Sequence, residues 1–176
     1  MKKTLLAMVV VAMVGGTASL AQAADQGHGT VTFTGSIIDA PCSIDPKTVD
    51  QTVDLGEVSN VALALNGNTG TSTPRNFEIK LENCDTSTLK TVTTTFTGAE
   101  GATPGHLGIT GTASGASIAL TDGSGTAIDL GTATAPHQLQ DGSNTLMFSA
   151  YLQGDGASSI VPGDFTSIAD FTLAYQ

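Results

Sequence analysis

The last fourteen residues of this chain, 163–176, constrain its fold more than any other stretch. Counting back by twos from Tyr175 meets Leu173, Phe171, Ala169, Ser167, Phe165 and Gly163, a mostly apolar set. The residues between them, Ala174, Thr172, Asp170, Ile168, Thr166 and Asp164, are mostly polar. Successive side chains of a strand point to opposite faces, so this alternation predicts one long, half-buried β-strand. It runs to the chain terminus, where most domains fray. A second alternating stretch lies near the other end, with Val31, Phe33, Gly35 and Ile37 on one face. Two strands so placed can pair within one molecule or between two.

The first 23 residues read as an export signal. Lys2 and Lys3 precede a short apolar run from Leu5 to Val14, and Ala21-Gln22-Ala23 fits the small-x-small cleavage rule. The apolar run is too short for a spanning helix of about 20 residues. Ser19-Leu20-Ala21 offers a second cleavage site two residues earlier. The remaining length suits one domain with a real core. The signal holds two of the six basic residues, so the mature chain sets sixteen acidic residues against four basic ones. No basic stripe can form, which argues against nucleic acid as a partner. Strong negative charge favours solubility before any assembly. The two cysteines, Cys42 and Cys84, predict one structural disulfide in an oxidising compartment. It would close a loop of about 40 residues, a constraint of roughly 3–4 kcal/mol by the chain-entropy argument.

Helical signals are nearly absent, and the mature chain is rich in Thr, Gly, Ser, Val and Ile. Strands are expected over residues 30–39, 42–45 with 51–55, 76–83, 91–97, 116–121, 127–130, 144–153 and 163–175. Asp122-Gly-Ser-Gly125 predicts a hairpin turn between two of them. Residues 66–70 and 154–156 read as exposed, mobile loops. The sum is an all-β sandwich of immunoglobulin-like size whose last strand has no successor. A sandwich short of one strand would expose an apolar groove and raw sheet edges, which soluble monomers avoid.

No catalytic constellation stands out. His28, His106 and His137 lack metal-ligand spacing. Ser117 comes near a G-x-S-x-G elbow, but its strand setting argues for packing. Asp122 and Asp141 sit in turn sequences rather than calcium loops. The chain is expected to be no enzyme and to need no cofactor or metal.

The run Gly29-Thr-Val-Thr-Phe-Thr-Gly-Ser-Ile-Ile-Asp-Ala-Pro-Cys-Ser-Ile44 resembles the N-terminus of major fimbrial subunits of the chaperone–usher class. The nearest likeness is to the major pilins of P pili and mannose-resistant fimbriae. Residues 50–56, the Phe77-x-Ile-x-Leu-x-Asn-Cys84 pattern and the terminal strand continue the match in family order; residues 100–134 match only loosely. The resemblance implies an incomplete immunoglobulin-like β-sandwich lacking its last strand, completed by a donor strand from another subunit. It divides the chain into a signal peptide (1–23), a donor-strand extension (24–40) and a pilin domain (41–176). Val31, Phe33, Gly35 and Ile37 would be the donor residues, with Gly35 where a side chain must be absent. Gly163, Phe165, Phe171, Leu173, Tyr175 and Gln176 would form the acceptor strand, which a periplasmic chaperone reads during transit. Neighbouring copies, that chaperone, an outer-membrane usher and a tip adaptor or adhesin would be the partners, and a surface fimbria supporting adhesion the destination. The alternative is a minor adaptor or adhesive subunit of the same system.

Overall fold

The computed structural model describes residues 28–35, 37, 40–156 and 159–176, and the expected signal lies outside them. The chain divides into two units, Met1–Ile37 and Ile38–Gln176. In the first, the described residues carry no strand pairing, and Val31, Phe33 and Ile37 are exposed. The strand expected over 30–39 is therefore not formed by its described residues; Ser36, Ile38 and Asp39 fall outside the description.

The second unit is built of short and long strands around two single helical turns and a third turn, Leu65–Asn68, in which Asn66, Gly67 and Asn68 take positive φ. In chain order they are β1 (Ser43–Ile44), α1 (Pro46–Val49), α2 (Asn60–Leu63), α3 (Leu65–Asn68), β2 (Arg75–Cys84), β3 (Thr91–Gly98), β4 (Leu107–Gly108), β5 (Thr110–Gly111), β6 (Ala116–Asp122), β7 (Ala127–Ile128), β8 (His137–Gln138), β9 (Gly142–Gly154), β10 (Phe165–Thr166) and β11 (Ala169–Tyr175). One sheet runs β1-β2-β9-β6-β4, with β7 also on β6; a second runs β11-β3-β8; β10 and β5 form a separate pair. Every pairing is antiparallel.

The period-two pattern of β9 explains the core. Asn144, Leu146, Phe148, Ala150 and Leu152 are buried, while Thr145 and Met147 between them are exposed. Phe148 faces Phe77 across the β2 pairing, and the two rings stack at 5.5 Å. Phe96, from the second sheet, meets Phe148 edge-on at 5.1 Å and Phe77 at 6.0 Å. This cluster joins the two layers, with offset and edge-on geometries that favour ring pairs. Cys42 and Cys84 are disulfide-bonded, tying the start of the domain to the end of β2.

Several expectations need correction. Residues 51–55 form no strand, since no strand lies beside them to pair with; before them Pro46 opens the helical turn α1, with Asp45 accepting from the Lys47 N–H at 3.0 Å. The loops at 66–70 and 154–156 hold each other rather than standing free: Gly154 N–H donates to the Gly70 carbonyl at 3.0 Å and Gly156 N–H to that of Asn68 at 2.8 Å. Both Gly70 and Gly154 are buried, and a Cβ on Gly154 would stand 2.3 Å from the Asn68 carbonyl. The hairpin at Asp122 forms as expected, with Leu120 opposite Ile128 and Thr121 opposite Ala127.

Candidate functional site

The terminal strand does not run unbroken. It pairs first with β5, as Phe165 and Thr166 face Gly111 and Thr110. At Ser167 it leaves that partner, the Ser167 hydroxyl donating to the Gly108 carbonyl at 2.7 Å. From Ala169 to Tyr175 it then pairs with β3 in continuous register, Ala169 opposite Gly98 and Tyr175 opposite Val92. The alternation read from sequence sets its faces: Phe171, Leu173 and Tyr175 are half-buried, while Asp170, Thr172 and Ala174 are exposed. Ile168, at the break, is 79% exposed.

The register also fixes where the backbone points. Gln176 N–H donates to the Thr91 carbonyl at 2.9 Å, and the Gln176 carbonyl accepts from Thr91 and Lys90 at 2.9 and 2.7 Å. Bonded pairs alternate along an antiparallel ladder. Ala174, Thr172 and Asp170 therefore turn their N–H and C=O groups to β3. Ala169, Phe171, Leu173 and Tyr175 turn theirs the other way, to an edge that no strand pairs with among the described residues. A half-buried strand with a bare edge is the kind of template proteins usually cover.

Beside that edge lies a groove of about 1090 Å³. One rim is residues 51–60, and the other is residues 160–169 with Phe171. Between them stand Phe77, Ile79, Phe96, Ile118, Leu120 and Leu152, the inward faces of both sheets. Val49, Val161 and Ile168 are exposed apolar side chains on its lining. The groove thus lies over the hydrophobic core: most of its floor is buried, while Val58, Phe77, Ile160, Phe165 and Phe171 around it are only partly so. Burial pushes the Tyr175 hydroxyl above its usual range, and it stays neutral near pH 7.

Of the acceptor residues expected from sequence, Gly163, Phe165 and Phe171 line the groove, and Leu173 and Tyr175 pack against the core just beyond it. Gln176 closes the β11–β3 ladder. Gly163 sits against Thr112, whose hydroxyl would be 2.4 Å from a Cβ there. The expected donor residues Val31, Phe33, Gly35 and Ile37 belong to the other unit. Sequence reasoning missed Leu55, Val58, Leu107, Ile109 and Ile160 as groove residues. Leu107 and Ile109 sit in a glycine-rich stretch with no sustained period, so the usual strand signal was missing there.

Among the described residues no group of three metal-ligating side chains comes together, and no helix is long and apolar enough to cross a membrane. Near the groove, the buried Ser117 and the half-buried Thr103 donate their hydroxyls to the half-buried Asp155 carboxylate, at 2.5 and 3.1 Å.

Residues 31–176 match the family described as Fimbrial protein. Fimbria A protein of Serratia marcescens is 67% identical over 171 residues, covering 96% of this chain and 97% of that one. The Major MR/P fimbria protein of Proteus mirabilis is 53% identical over 178 residues, all of both chains. The crystal structure of the P pilus rod subunit PapA superposes with a TM-score of 0.68 at 30% identity, covering 78% of this chain and 100% of that one. A chaperone–usher pilus structure concerned with rod uncoiling gives a TM-score of 0.70 at 31% identity, with 89% and 100% covered. One relative is named a major fimbria protein and one solved structure a rod subunit, so the adaptor alternative is not favoured. An open groove, a bare terminal edge and relatives that are structural components rather than enzymes, exported to the cell surface, lead to one conclusion: this chain belongs to the fimbrial protein family, as a major pilus subunit of the chaperone–usher class.

Proposed function

We propose that the subunit polymerises by donor-strand complementation, residues 24–40 of one copy completing the sandwich of the next. The observation that carries this reading is the apolar groove of about 1090 Å³ lying beside the unpaired edge of β11. The edge offers backbone partners and the groove offers pockets, the two things an added strand needs. Residues 31–37 number seven, as do Ala169–Tyr175, so donor and edge match at about 23 Å. Val31, Phe33 and Ile37 would fill successive pockets, and Gly35 would pass where the groove leaves no room for a side chain. Before assembly a periplasmic chaperone would cover the same edge, reading Phe171, Leu173 and Tyr175 and holding the Gln176 carboxylate. An outer-membrane usher would release the subunit into a shaft that carries a tip adaptor or adhesin.

One subunit gives one strand and accepts one, so the contact is head-to-tail and does not close on itself. Gly35→Asn tests the fit. Overpacking of this kind costs about 1–3 kcal/mol, so the variant should accumulate in the periplasm as soluble subunit while surface fibres disappear. Fibres of normal yield and length from Gly35→Asn would contradict donation through this face.

A further inference from the structure

Two exposed apolar side chains lie beyond the groove. Val61 on α2 and Leu65 on α3 are 67% and 57% exposed. Asn60 and Leu63, on the same turn as Val61, line the groove, so this patch continues outward from the groove's end. Residues 58–74 contain no charged side chain, in a chain whose net charge is −10. A surface free of carboxylates is where two copies of so acidic a chain can touch with least repulsion.

The patch has a fixed place in the fold. Gly70 N–H donates to the Leu63 carbonyl at 3.0 Å, and Gly154 N–H to that of Gly70 at 3.0 Å. The α2–α3 turns are thereby fastened to the Gly154 end of β9. The Cys42–Cys84 disulfide stands at the opposite end, where Cys84 pairs with Gly142. The 13 residues of β9 separate the two ends by about 40 Å.

A tether decides what covers the patch. On the donor-strand reading, on which this inference rests, an entering strand antiparallel to β11 has Ile37 at the Ala169 end of the groove. That is also the Gly154 end of the domain: Ala169 pairs with Gly98, Glu100 two residues on bridges to Leu107, Leu107 pairs with Ile118, and Ile118 with Leu152. Only residues 38–41 then separate Ile37 from Cys42 of the donating copy. Those five steps span at most about 18 Å. We propose that the Cys42–Cys84 end of the donating copy rests on the α2–α3 patch of the copy it completes, with Val61 and Leu65 at its centre. The joint between subunits is then held at two places, by the inserted strand and by this seat, and is stiffer than a four-residue tether. The exposed carboxylates Asp85 and Asp141 at the seated end meet an uncharged surface there.

The chain has no free cysteine among its described residues, which makes thiol labelling a direct test. Fibres of Leu65→Cys subunits are treated with a maleimide, as is the same subunit dissociated to monomer. The thiol at position 65 should react at least tenfold more slowly in fibres. Fibres of the double variant Leu65→Cys, Ser87→Cys, treated with a short bis-maleimide, should give covalent ladders of subunits. Val31→Cys fibres report the donor strand separately. Protection at position 31 with full reactivity at position 65 overturns the seat and leaves donation standing. Reactivity at position 31 overturns donation, and the seat with it. Protection at position 65 without ladders puts a different surface on the patch and also overturns the proposal.

Discussion

Phe171, Leu173 and Tyr175 each act in two directions. Their side chains turn toward the core, half-buried, and their backbone N–H and C=O groups turn toward the open edge, as the Gln176–Thr91 pairing requires. Their incomplete burial is what a missing strand leaves behind. Phe96 anchors the other side of the same space, buried against Phe77 and Phe148 and 6.5 Å from Phe171. The disulfide acts on the unfolded chain instead. Cys42 and Cys84 are separated by 42 residues, and opening that loop costs roughly 3–4 kcal/mol by the chain-entropy argument. Replacing both by Ser should lower the denaturation midpoint of the subunit and cut the yield of exported protein. A midpoint unchanged from the parent would mean that the bridge contributes nothing to folding.

Among the elements, β11 carries the most specific expectation. Its amides divide into two sets, those of Asp170, Thr172 and Ala174 bonded to β3 and those of Phe171, Leu173 and Tyr175 facing the edge. Hydrogen exchange read residue by residue should find the first set protected in both monomer and fibre. The second set should be protected only in the fibre, where a strand pairs with it. Equal protection of both sets in the monomer would mean the edge is already covered. The faces of this strand were legible in the sequence because alternation is a local signal. Its break at Ser167 was not, since that depends on the carbonyl of Gly108, which lies 59 positions away. For the same reason residues 51–55 looked like a strand: Val53 and Leu55 alternate, but no partner strand lies beside them, and they become a rim of the groove instead. The loops at 66–70 and 154–156 have the composition of free turns, yet glycine also permits close backbone approach, and here Gly70 and Gly154 use it.

At the scale of the whole molecule, the domain is a sandwich with one strand too few. Its own chain supplies a strand-like segment at the opposite end of the sequence. The alternation of the terminal strand was readable from sequence; the matching alternation at residues 31–37 forms no strand among the described residues, and its role as donor is the proposal made above. Whether the two ends pair within one molecule or between two was not readable from period alone, and the likeness to major pilins decided the reading. The groove, the bare edge and the matched lengths of residues 31–37 and Ala169–Tyr175 are the physical grounds for it. The most direct test is a subunit lacking residues 24–38, added to growing fibres. It keeps its groove and β11, so it should accept the extension of a neighbour, but it has none to give. Each fibre should therefore stop at the truncated subunit, and mean fibre length should fall as its proportion rises. If truncated subunits are found within fibres that continue to lengthen beyond them, the N-terminal segment is not the donor strand.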